Sequence, residues 1–226
     1  MHIYSFHSIN RISKRLVKLS IAYIFISGIL LILNCYVTSQ DLSNNEESFF
    51  VQYRGPILIL VLIDTLIGFI LLIFTLHWFY RANKNIHAFG TKGISSPAMA
   101  VVWWFVPILQ LWKPYKVARD IWKISDPKID TSNSNAWKYS DHNLNIVRLW
   151  WILAILSGVL SVVSAIVYNS NPEFATQNSA SIRQMLFYSD LLTVFSNICS
   201  IISTIYFISM IKQVSKWQEI KAGHSI

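Results

Sequence analysis

Charge is scarce in this sequence. Only 13% of its 226 residues are Asp, Glu, Lys or Arg, against roughly 25% in soluble domains. Because 54% are hydrophobic, too little polar surface remains to cover a globule in water, which excludes an ordinary soluble domain. Cysteine is limited to Cys35 and Cys199, with no CxxC, so no disulfide framework is expected and both read as unpaired thiols. No N-x-S/T sequon occurs to mark an external loop. The chain also lacks HExxH, GxSxG, P-loop and GxGxxG patterns. Its six histidines show no metal-ligand spacing with a carboxylate apart from the adjacent Asp141-His142. No catalytic, cofactor or metal site is expected.

What the sequence has is long apolar runs. Four blocks, at about 19–37, 56–79, 149–168 and 185–211, are each near or above the ~20 residues that cross a ~30 Å hydrocarbon core as a helix. The first could be a cleaved leader, since Arg11, Lys14, Arg15 and Lys18 precede it. Its exit, Asn34-Cys35-Tyr36-Val37, has no small-x-small cleavage site, so a retained span is expected. A fifth run, 97–112, is interrupted by Pro107; its apolar part, 98–112, is only about 22 Å long as a helix.

Charge decides whether that fifth run crosses. With four spans and a cytoplasmic N-terminus, 17 Lys and Arg lie inside and only Arg54 and Arg183 outside. If 98–112 also crossed, the balance would be 8 inside against 11 outside. The positive-inside rule selects the first arrangement. All nine tryptophans then fall in or beside the cytoplasmic half, where indole favours the headgroup zone. The fold expected is all-α: an integral membrane bundle of four transmembrane helices, both termini cytoplasmic, with a re-entrant or interfacial segment at 97–112. Around it come a basic arm at 1–18, an amphipathic helix at 114–125, a polar loop at 126–147 and a tail at 212–226. Gly90 and Gly93 are expected to break the chain after the second span. The 114–125 helix places Tyr115, Ala118, Ile121, Trp122 and Ser125 on one face, to lie on anionic lipid or dock on the protein itself.

The stretches HWFYRANKNIHAFG, WWFVPILQLWKPYKVARDIW and RLWWIL resemble a family of bacterial multi-pass membrane proteins, domain of unknown function 4328. The resemblance covers roughly 60–210. It rests on Arg81 and Asn85, then Trp103, Trp104, Phe105, Pro107, Leu111, Trp112, Pro114 and Tyr115, then Trp150 and Trp151. Gln110 and Lys113 depart from the family's more usual Asn and Arg. The resemblance implies a bacterial cytoplasmic-membrane location and brings no activity.

Two constellations are candidates for function. The first is a cytoplasmic aromatic and basic face: Arg81, Asn85, Trp103, Trp104, Phe105, Pro107, Gln110, Trp112, Pro114 and Tyr115. It would present itself to a protein partner or to membrane lipid, anionic in kind. The second is an intramembrane polar site. Asp190, Thr193, Asn197, Ser200 and Thr204 recur at spacings of three and four, with Asp64 on the second span. They could line an ion or small-solute pathway, or serve interhelical hydrogen bonding. Small residues on the third span, among them Ser157, Ser161 and Ser164, read as packing. The net charge of +8 does not point to nucleic acid, because the basic residues flank apolar blocks. An embedded enzyme would need a convergent cluster of titratable groups, which the sequence does not offer.

Overall fold

The computed structural model describes residues 4–43, 48–129, 136–139, 143–169 and 179–223. Parts of the expected arm, first outer loop, 126–147 loop and tail lie outside those residues. Among those described there is no strand. Helices run α1 (Asn10–Ser43), α2 (Ser48–Ala88), α3 (Pro97–Val102), α4 (Lys113–Ser125), α5 (Ala136–Tyr139), α6 (Asn145–Asn169) and α7 (Ser179–Lys221). Four of them, α1, α2, α6 and α7, contain stretches long and apolar enough to cross a membrane: Asn10–Tyr36, Leu58–Ala88, Asn145–Asn169 and Phe187–Lys221. The chain is an all-helical protein of membrane type, and each apolar block of the sequence sits inside a longer helix.

The chain divides into two compact units. Unit 1 comprises Met1–Ser20, Phe69–Trp151 and Ile205–Ile226; unit 2 comprises Ile21–Gly68 and Ile152–Thr204. Their interiors follow opposite rules. Every member of the buried apolar cluster belongs to unit 1, from Ile9 and Leu16 through Trp78, Phe79 and Ile121 to Met210 and Val214. Unit 1 is built as a soluble domain is, with its greasiest side chains inside.

Unit 2 inverts that pattern. Among its described residues the buried side chains are Leu30 and seven hydroxyls: Ser27, Thr38, Ser164, Ser189, Ser196, Ser203 and Thr204. Leu62, Leu66, Ile152, Val162 and Ile166 face outward instead, at 58–68% exposure. Water would not tolerate such a surface. In lipid the helices gain nothing by hiding leucine, and small hydroxyl residues let backbones approach and bond.

α6 and α7 illustrate this. Ser164 Oγ donates to Ser189 O at 2.9 Å and lies 2.8 Å from Thr193 Oγ1. Two turns along, Ser196 Oγ donates to Ser157 O at 2.9 Å and meets Ser161 Oγ at 2.8 Å. On α7 the buried Ser189, Ser196 and Ser203 recur every seven residues, the period that keeps one seam facing a partner helix.

The expected break after α2 is present. α2 ends at Ala88, and Gly90 and Gly93 adopt φ of 86° and 75°, conformations that cost other residues a Cβ clash. α3 then starts on Ser96, whose side chain accepts from Met99 N, with Pro97 at its first position. Six residues make a helix about 9 Å long, far short of a crossing.

Candidate functional site

The segment after α3 is held by turns rather than by α-helix. Phe105 N bonds Val102 O, Leu111 N bonds Ile108 O and Trp112 N bonds Leu109 O, all three-residue steps. Val102, Phe105, Ile108 and Leu111 are at that spacing, and all are exposed, Phe105 at 64% and Ile108 at 69%; Trp112 joins them at 46%. The tip is a γ-turn: Ile108 has φ 66° and ψ −55°, and Leu109 N bonds Pro107 O at 2.7 Å. A β-branched residue at positive φ is a strained conformation.

Unit 1 packs the inner side of this segment. Trp104 meets Phe79 edge-on at 5.5 Å and Trp151 at 5.9 Å. Phe79 lies 6.0 Å from Trp150, which stacks on Phe207 at 5.3 Å. Trp151 Nε1 donates to Leu111 O at 2.8 Å, so the Trp-Trp pair that opens α6 has two jobs. Trp150 fills the core; Trp151 holds the loop. Lys113 Nζ sits 4.8 Å above the Trp103 ring, close enough for a cation–π contact.

The ten residues expected as one presented face therefore separate. Phe105, Pro107, Gln110 and Trp112 are exposed; Arg81, Trp103, Trp104 and Tyr115 are half-buried. Pro114 is buried, and Asn85 is 1% exposed. Asn85 belongs to the interior: its Nδ2 donates to His7 O at 2.9 Å and Gln218 Oε1 at 2.8 Å, and its Oδ1 accepts from His7 N. Gln218 in turn donates to Ala82 O and Ser125 Oγ. A second relay runs from Trp78 Nε1 through Ser13 and Ser215 hydroxyls to Ile211 O. Residues outside the sequence reading, His7, Ser13, Ser215 and Gln218, thus tie the arm before α1 to α2, α4 and the end of α7.

α4 docks on the protein. Trp122 packs on Trp217 at 4.8 Å, and Lys221 Nζ donates to Ile124 O, Asp126 O and Ile129 O, capping the carbonyl end of the helix. Its buried arc is wider than expected and takes in Val117, Ile124 and Asp120. Burial pushes the Asp120 carboxyl above its ordinary value, against the opposing pull of the Arg119 guanidinium at 2.9 Å.

The charge census of unit 1 is one-sided. Seventeen of the 19 Lys and Arg belong to it, and none is buried. Its described acidic residues are Asp120, Asp126 and Glu219, at 3%, 8% and 3% exposure. The described surface of this unit carries cations and no exposed carboxylate.

In unit 2 the polar stripe resolves into pairwise contacts. Asp64 Oδ1 accepts from Ser27 Oγ at 2.7 Å, Ser200 meets Tyr23 Oη at 2.9 Å, and Thr193 pairs with Ser164. Thr204 bonds back to Ser200 O on its own helix, while Asp190 and Asn197 are half-buried. Among the described residues no group of three His, Cys, Asp or Glu side chains could hold a metal ion.

No curated protein and no solved structure matches this chain. A family model does, over residues 56–216, a range that takes in the γ-turn loop, both tryptophan pairs and most of α7. By that match the chain belongs to the family described as Domain of unknown function (DUF4328).

Proposed function

We propose that this protein is a non-enzymatic membrane module of the bacterial cytoplasmic membrane that engages anionic lipid through the aromatic and basic face of unit 1, with both termini in the cytoplasm. The observation that carries the reading is the combination on one unit of an outward apolar edge, Val102 to Trp112, with a surface free of exposed carboxylates among its described residues. An apolar edge alone would suit any greasy partner. Joined to Lys113, Lys116, Arg119 and Lys123 directly after it, it suits a leaflet whose headgroups are negative and whose interior begins a few ångströms deeper. The strained tip at Ile108 supports the same reading, since backbone strain persists where the displayed side chain has a use.

The test places a fluorescent thiol probe at Ile108→Cys in a chain whose Cys35 and Cys199 are serine, reconstituted in vesicles of zwitterionic and anionic phospholipid. The expected result is blue-shifted emission quenched by nitroxide-bearing acyl chains, deeper in anionic than in purely zwitterionic vesicles. Emission typical of water, quenched by aqueous iodide in both, would overturn the proposal. Ready labelling of Lys128→Cys from outside intact cells would overturn its sidedness.

A further inference from the structure

The α1 and α7 ends that enter unit 1 carry a second cationic surface, separate from the loop. On α1, Arg11, Lys14, Arg15 and Lys18 recur at i, i+3, i+4 and i+7, one helical face, and all four are exposed. The opposite face is closed, with Ile9, Leu16 and Ser13 buried. On α7, Lys212 and Lys216 are one turn apart and exposed, while Ile211, Val214 and Ser215 are buried.

Two contacts within unit 1 fix how these segments meet. Ser13 Oγ and Ser215 Oγ are 2.6 Å apart, and His7 and Gln218 share the Asn85 carboxamide. The chains therefore run antiparallel: earlier residues of the first segment oppose later residues of the last. From the Ser13–Ser215 seam, Lys14 lies about 100° on around α1, and Lys212 and Lys216 lie about 60° and 100° on around α7, at 100° per residue. Because the helices run in opposite directions, these rotations carry Lys14, Lys212 and Lys216 to the same side of the seam, while Arg11, Arg15 and Lys18 lie about 140–160° from it on the far face of α1. No acidic side chain pairs with any of the six among the described residues, and Glu219, the acid nearest in sequence on α7, is buried.

We infer that this α1–α7 plate binds the headgroup of a lipid bearing two phosphates. The chemistry is a matter of number and reach. Arg11 to Lys18 spans about 10 Å of helix, and α7 adds a parallel row of two, so cations from two helices can face two phosphates at once. A lipid is the source, rather than a free polyphosphate, because the α1 cations directly precede the apolar run from Ile21 onward, and a helix that crosses from there sets them beside the phosphate plane. The inference rests on the helices crossing a bilayer and is independent of the loop's insertion.

The experiment uses the full chain in nanodiscs of a zwitterionic lipid doped with either a diphosphatidyl lipid or a single-phosphate anionic lipid at matched total charge. Retained lipid is counted by native mass spectrometry. The parent should retain the two-phosphate lipid preferentially. Lys14→Gln/Lys216→Gln should weaken that retention about 25-fold, taking about fivefold per cation near the surface. Lys14→Arg/Lys216→Arg should keep it. The comparison is Lys92→Gln/Lys138→Gln, which removes the same charge from exposed positions of the same unit and should leave the preference intact. Equal losses in the two Gln pairs, or no preference for the two-phosphate lipid in the parent, would overturn the inference. Ile108 probe depth should not change in the Lys14/Lys216 variants, which separates a failure here from a failure of the loop reading.

Discussion

Gln218→Leu is the sharpest probe of unit 1. Gln218 is fully buried and bridges three elements: it accepts from Asn85 at 2.8 Å and donates to Ala82 O at 3.1 Å and Ser125 Oγ at 3.0 Å. Leucine keeps roughly the volume and removes all three bonds. At about 1 kcal/mol net per bond the loss is about 3 kcal/mol, with one Asn85 N–H left buried and unpaired. Ala82 O stays on a helix ladder, so its share is the smallest. For a unit of this size that corresponds to a midpoint shift of about 10 °C. The assay is intrinsic: all nine tryptophans lie in unit 1, so tryptophan emission during heating follows this unit. Asn85→Leu alone should cost about as much, and the double variant should cost clearly less than the two added together, with a coupling of about 1–2 kcal/mol. Strict additivity, or an unchanged midpoint in Gln218→Leu, would refute the claim that this amide pair holds the unit together.

Two further outcomes follow from the geometry. The raised Asp120 pKa means the folded chain binds that proton more tightly than the unfolded one, so the associated stability is complete below the ordinary value of 3.8 and is lost as pH rises through the raised value. Asp120→Asn should therefore raise the tryptophan-monitored midpoint at pH 7, with the advantage shrinking on acidification to pH 4; a pH-independent difference would contradict it. Ser164→Ala in unit 2 removes contacts to Ser189 and Thr193 and should cost about 1 kcal/mol, as membrane hydrogen bonds average about 0.6, measured as urea or heat resistance of α6–α7 association. A collapse of the whole chain would show that the polar interior does more than pack.

The helices that suit a bilayer were legible in the sequence because lipid imposes a one-dimensional rule: about 20 consecutive apolar residues. A break within 97–112 was legible too, from Pro107; the helix there is only Pro97–Val102. The Trp-Trp pairs could be recognised as a motif, but not that Trp151 holds Leu111 O while Trp150 fills the core. That division depends on which face of α6 meets the loop, and adjacent residues on a helix point about 100° apart. Asn85 read as part of a presented face because it shares the Arg81–Asn85 element on which the family resemblance rests. Its partners lie 78 and 133 residues away, and no local pattern carries contacts at such distances. The serine seam of α6 and α7 was half visible, in the α6 serines and in Thr193; the seven-residue recurrence on α7 is dilute among larger apolar residues. The sequence by itself thus determined which four helices suit a bilayer, since that depends on composition along a single helix. Tertiary structure alone decided which polar groups are spent inside, because a buried hydrogen bond needs a second partner that only folding brings near.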